Sequence, residues 1–122
     1  ALPGASLGIG CNFTPARKIL DAGGSLAIAS DWNPGSAPMG NLISQASILA
    51  TFEKLSTAEV FAGLTFRAAA ALGLSDRGTL AAGMLADFNL YPIADYQEIL
   101  YHQGQLAPAQ VWKKGNKILD FK

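Results

Sequence analysis

Asp31 opens the run Asp31-Trp32-Asn33-Pro34-Gly35-Ser36, directly after the short apolar stretch Ser25-Leu26-Ala27-Ile28-Ala29-Ser30. That stretch reads as a strand buried on both faces, ending in an acid and passing at once into a polar loop containing Pro and Gly. An ionised carboxylate at the edge of a buried strand is costly unless something pairs with it. In parallel α/β architectures the carboxyl ends of strands are also where ligands sit. Residue type and place together suggest a site. A plainer reading of Asp31 is a turn or N-cap acid bonding to the backbone of Asn33.

Partners for such a site are scarce. The chain has one histidine, His102, and one cysteine, Cys11. His102 reads as an ordinary surface or satisfied histidine, and Cys11, in a glycine-rich loop, as a small packing residue. Asp87 is expected to fix the backbone at a strand start. Arg67 is expected to be an ion-pair or helix-end residue, and Arg17 and Lys18 to lie on a solvated helix face. Trp32 either walls a pocket or packs in the core or rim.

The elements that must position these residues follow from punctuation and periodicity. Leu2-Pro3-Gly4 looks like the exit of a strand that began earlier, and loop composition follows through Gly8, Gly10 and Asn12. Thr14-Pro15 reads as a hydroxyl N-cap and a first-turn proline, starting a helix that stops at Gly23-Gly24. Asn41 to Lys54 has helical periodicity, with Leu42, Ala46, Leu49 and Ala50 on one face. Ser56-Thr57-Ala58-Glu59 has the capping-box pattern and starts a helix to about Leu72, closed by Gly73. From about Ser75 the pattern changes. Asp87 to Tyr91 alternates as a half-buried strand, Asp95 to Glu98 starts a short helix, and Gln110–Lys113 and Lys117–Phe121 read as strands joined at Lys114-Gly115-Asn116. The division is therefore a β/α part over 1–78 and a small β part over 79–122.

At 122 residues, half of them apolar, the chain suits one small domain with a core and not disorder. Its formal net charge is zero, which gives no electrostatic reason to expect nucleic acid or an anionic membrane as partner. Lys113, Lys114, Lys117 and Lys122 make a local basic group that reads as a solvated turn and tail. One cysteine permits no intrachain disulfide, which favours a cytoplasmic setting. No apolar run reaches the roughly 20 residues of a membrane helix. The chain begins at Ala1, without an initiator Met or a visible signal peptide, so an earlier amino terminus is expected.

The segment Ala27-Ile28-Ala29-Ser30-Asp31-Trp32-Asn33-Pro34-Gly35-Ser36-Ala37-Pro38 resembles the Ala-x-Asp-x-Asn-Pro-Gly-Ser-x-Pro segment of the imidazolonepropionase family, within the amidohydrolase superfamily. Leu2-Pro3-Gly4-Ala5, Arg67 to Leu74 and Gly78-Thr79-Leu80-x-x-Gly83-x-x-Ala86-Asp87-Phe88 are similar to patterns shared more widely across that superfamily. The resemblance covers essentially the whole chain. It implies an α/β fold: the C-terminal fragment of a (β/α)8 TIM-type barrel, with its last strand and flanking helices, plus part of a small β-sandwich. It also implies hydrolytic opening of 4-imidazolone-5-propanoate to N-formimidoyl-glutamate, in histidine degradation, with one zinc or iron ion in the intact enzyme. Asp31 matches the catalytic metal-ligand aspartate of the eighth barrel strand, and Asn33, Gly35 and Ser36 match substrate-binding loop positions. The chemistry agrees: a carboxylate is a normal zinc ligand and accepts a proton from metal-bound water. A carboxamide, a backbone N–H and a hydroxyl suit a substrate carboxylate.

The superfamily's His-x-His pair, later barrel histidines and catalytic glutamate are absent from these residues. A catalytic zinc has three protein ligands, and a complete barrel takes about 250 residues. The expectation is that this chain alone binds no metal and is inactive, and that it self-associates or pairs with a missing N-terminal part. Two alternatives stay open: a segment of another amidohydrolase, such as a deaminase or cyclic amidase, and a non-catalytic assembly module using the helical face of Leu42 to Leu72.

Overall fold

A computed structural model describes residues 1–121; Lys122, the last of the local basic group, lies outside the described residues. The elements run α1 (Pro3–Ile9), α2 (Ala16–Asp21), α3 (Leu42–Glu53), α4 (Thr57–Leu64), α5 (Phe66–Ala71), β1 (Phe88–Leu90), α6 (Glu98–Tyr101), β2 (Gln110–Lys113) and β3 (Asn116–Asp120).

α3 is the axis of the molecule. Asn41 caps it, its side-chain oxygen accepting the Ser44 N–H at 3.0 Å, and α1, α4 and α6 all pack against it. Its Ala46 and Leu49 join Ala16, Leu26, Ile28, Val60 and Leu100 in one core cluster. α6 brings Leu100 there from the far half of the sequence, and Ser47 fastens it by donating to the Leu100 carbonyl at 3.0 Å. α4 begins with the expected capping box: Glu59 N–H donates to Ser56 Oγ at 3.3 Å and Ser56 N–H to Glu59 Oε2 at 2.8 Å. Arg17, expected on a solvated face, instead ties α2 to α4, its guanidinium gripping Glu59 at 2.9 and 3.0 Å and donating to Asp21 at 2.9 Å. Lys18 is exposed, as expected.

Several elements differ from the sequence reading. Pro3–Ile9 is a helix, not loop, because tertiary contact overrides the low helix propensity of its glycines. The Gly4 N–H donates to the buried Gln45 side chain of α3 at 3.1 Å, and a Cβ at Gly4 would stand 2.7 Å from that carboxamide. Thr14 is not the cap of α2; Pro15 occupies that position without a side-chain bond. The long helix after Ser56 breaks at Thr65 (φ −121°, ψ −102°) into α4 and α5.

Ser25 to Ser30 is extended but forms no strand, and only Leu26 and Ile28 of it are buried. Its one strand-like pairing is with Ala1, whose amino group donates to the Ala27 carbonyl at 2.7 Å and whose carbonyl accepts the Ala29 N–H at 3.0 Å. Ile28 N–H goes to the Gly63 carbonyl at 3.0 Å. Among the described residues nothing else lies alongside to extend a ladder, so the last barrel strand expected here is an isolated segment with one buried face.

The small β part is a single three-stranded antiparallel sheet, β1-β2-β3. The expected hairpin is present: Lys114 (φ 50°) and Gly115 (φ 75°) take the left-handed conformations of a tight β2–β3 turn. Phe88 pairs with Trp112 across β1 and β2, their rings stacked with centroids 5.5 Å apart. Asp87 accepts the Lys114 N–H at 2.7 Å, the backbone-fixing role expected of it.

Candidate active-site loop

The stretch from Asp31 to Ser36 follows the extended segment and folds back on itself. Asp31 takes a left-handed backbone (φ 50°) and is exposed. The other described residues engage its backbone carbonyl, through Asn33 Nδ2, and leave its carboxylate without hydrogen bond or ion pair. The expected cost of a buried acid is thus avoided by exposure and not by pairing.

Asn33 organises the loop. Its Oδ1 accepts the N–H groups of Gly35 and Ser36, each at 2.9 Å, and its Nδ2 donates to Ser36 Oγ at 3.1 Å. Asn33 N–H also donates to the Ala37 carbonyl at 3.2 Å, closing an isolated bridge over the fully buried Ala37. The structure therefore brings Asn33, Gly35 and Ser36 together. It also occupies the Asn33 carboxamide and the Gly35 N–H internally. The Ser36 hydroxyl accepts from Asn33 Nδ2 and donates back to Asn33 Oδ1 across 3.3 Å, so it serves another partner only by turning its proton away from Asn33.

Trp32 is 74% exposed, beside Gly40, where a Cβ would meet its indole at 3.2 Å. It belongs neither to the core nor to a closed pocket among the described residues. Cys11 is free and exposed, not packed as expected. His102 is exposed, 3.8 Å from Glu98. Arg67 makes no ion pair among the described residues; its guanidinium lies 5.8 Å from the Phe66 ring centroid and its buried Nη1 has no partner. No group of three or more His, Cys, Asp or Glu among the described residues is placed to hold a metal ion.

Two larger concavities lie elsewhere. One of about 510 Å³ runs between α3 and α6. The other, about 690 Å³, separates the α3–α5 helices from the sheet, walled by Leu64, Ala68, Phe88 and Trp112. Asp31, Asn33, Gly35 and Ser36 line neither. Sequence reasoning missed this second cleft, since its walls come from segments with no local spacing in common.

Residues 4–118 match the amidohydrolase family. The chain is 38% identical over 117 residues to imidazolonepropionase of Deinococcus radiodurans, covering 96% of this chain and 29% of that protein. It is 36% identical over 121 residues to imidazolonepropionase of Polaromonas sp., covering 98% and 28%. The chain thus spans less than a third of the length of these curated relatives. Among solved structures it superposes on an adenosine deaminase from Xanthomonas campestris with bound zinc, at TM-score 0.80 and 24% identity over 98% of this chain and 31% of that one. It also superposes on atrazine chlorohydrolase from Arthrobacter aurescens TC1 complexed with zinc, at TM-score 0.76 and 20% identity over 98% and 30%. The chain belongs to the amidohydrolase family.

Proposed function

We propose that this chain is the carboxyl-terminal segment of an imidazolonepropionase, a metal-dependent hydrolase that opens the ring of 4-imidazolone-5-propanoate to N-formimidoyl-L-glutamate. The observation that carries this reading is identity of 38% to such an enzyme along 96% of the chain. Residues 1–78 are read as the terminal part of the barrel and 79–122 as part of a small β domain. The setting is read as cytoplasmic; no helix among the described residues is long and apolar enough to cross a membrane.

The donor set within this chain does not hold a transition metal by itself, because a catalytic site needs about three protein ligands. Asp31 fits as one of them: its carboxylate is exposed and makes no bond to the other described residues. The remaining ligands are assigned to the rest of the longer enzyme, with zinc or iron as the ion. Such an ion supplies a water activated at neutral pH. Asp31 would help hold the ion and accept a proton. The Asn33–Ser36 loop would receive the substrate's carboxylate, with Asn33 holding its shape and the Ser36 hydroxyl turning outward to donate. Alone, the chain is read as inactive and metal-free.

The test is the full-length enzyme with and without Asp31→Ala. The variant should lose bound metal, and its kcat/KM for imidazolonepropionate should fall by at least about 100-fold. Undiminished hydrolysis would remove Asp31 from the site. A wild type that turns over a different cyclic amide or an aminopurine, and ignores imidazolonepropionate, would replace the substrate while keeping the family.

A further inference from the structure

We propose that Gly8, on α1, is a positioning residue for the loop that carries Asn33 and Ser36; the proposal rests on the reading of that loop as the substrate cradle. A Cβ at position 8 would stand 1.7 Å from the Ser36 carbonyl oxygen and 2.7 Å from its carbonyl carbon. The obstacle is backbone, so no side chain can swing aside to make room. Gly8 is not among the residues with positive φ. Its conformation would accept alanine, and helix propensity would favour it. Only the contact with Ser36 demands glycine.

The contact completes a clamp. Ser36 is held on its other side by Asn33, through its N–H at 2.9 Å and its hydroxyl at 3.1 Å. α1 cannot retreat freely, because Gly4 near its start is closed against Gln45 with its N–H bonded at 3.1 Å. A methyl at position 8 therefore displaces Ser36, by more than 1 Å if the 1.7 Å approach is to open to an ordinary contact. A displacement of that size moves the loop's donors away from the substrate carboxylate and weakens binding. Asp31 lies five residues ahead of Ser36, and its backbone meets the displaced residue through Asn33 Nδ2, which donates to both.

The experiment is Gly8→Ala in the full-length enzyme. KM for imidazolonepropionate should rise at least about tenfold while kcat and metal content stay near wild type, because uniform binding is what is lost. Turnover of an analogue lacking the propionate carboxylate should not change. An unchanged KM overturns the proposal, and so does an equal loss with the analogue, which marks a merely structural glycine. Should the variant not fold, amide exchange at Gly35 and Ser36 decides: exchange in the Asn33→Ala variant that is still slower than in free peptide supports a loop held by α1 as well as by Asn33, and exchange at the free-peptide rate overturns it. Should the wild type not hydrolyse imidazolonepropionate, the functional reading falls, and the same exchange measurement still decides whether the loop is clamped.

Discussion

Asn33 shows how one side chain can hold a loop in shape. Its carboxamide takes two backbone N–H groups and gives a bond to Ser36 Oγ. Asn33→Ala removes all of these and should speed amide exchange at Gly35 and Ser36 by at least about tenfold, with a stability cost near 1 kcal/mol because the loop is largely exposed. Asn33→Asp keeps the acceptor for both amides and should preserve their protection. It should nevertheless weaken binding of an anionic substrate through like-charge repulsion. Equal exchange rates in the two variants would mean that Asn33 does not hold the loop. At this scale the sequence was informative about type and not about environment. Asp31 was legible as a candidate because an acid ends an apolar stretch. Its exposure was not legible, because exposure depends on which chain segments stand beside it, and among the described residues Ala1 and Gly63 alone bond to the stretch before it.

Glu59 is at once the closing member of the α4 capping box and the anchor for Arg17 of α2. The Arg17 guanidinium, helped by the Ser56 N–H, holds the Glu59 carboxyl at a pKa of about 2, below its ordinary 4.5. A carboxylate with a depressed folded value contributes stability that is fully present above the unfolded value. That contribution is lost as pH falls from about 4.5 toward 2. Glu59→Gln should therefore lower stability at neutral pH by about 1 kcal/mol, a figure set by partial exposure and typical of such pairs. Urea unfolding curves of variant and parent should converge near pH 2; a constant gap across that range would remove the ion pair as the cause. Elsewhere, Gly4→Ala should cost about 1–3 kcal/mol by forcing α1 off Gln45, read from the same unfolding curves. The capping box and the Lys114-Gly115 hairpin were legible because their partners are near in sequence. α1 and the α2–α4 ion pair were not, because Gly4 meets Gln45 across 41 residues and Arg17 meets Glu59 across 42.

The whole molecule carries more apolar surface than its core can hold. Around the buried set led by Leu49, Val60, Leu26 and Ile28 stand exposed Ile9, Phe52, Leu80 and Phe121, with Leu72 75% and Ile118 61% accessible. β3 exposes every residue along its length, and it forms one edge of the sheet, with no strand beyond it among the described residues. Unpaired strand edges and contiguous apolar faces are templates for association, and a net charge of zero supplies no repulsion against it. In relatives more than three times as long, there is further chain to cover such surfaces. Alone, the 122-residue chain should cover them with copies of itself. Sedimentation velocity from low to high micromolar concentration should show the mean mass rising, and Ile118→Lys, which places a charge on the open edge strand, should lower the mass at each concentration. A single monomeric boundary throughout that range would mean that the exposed apolar faces are stable in water as they stand, and would remove the case for an outside partner.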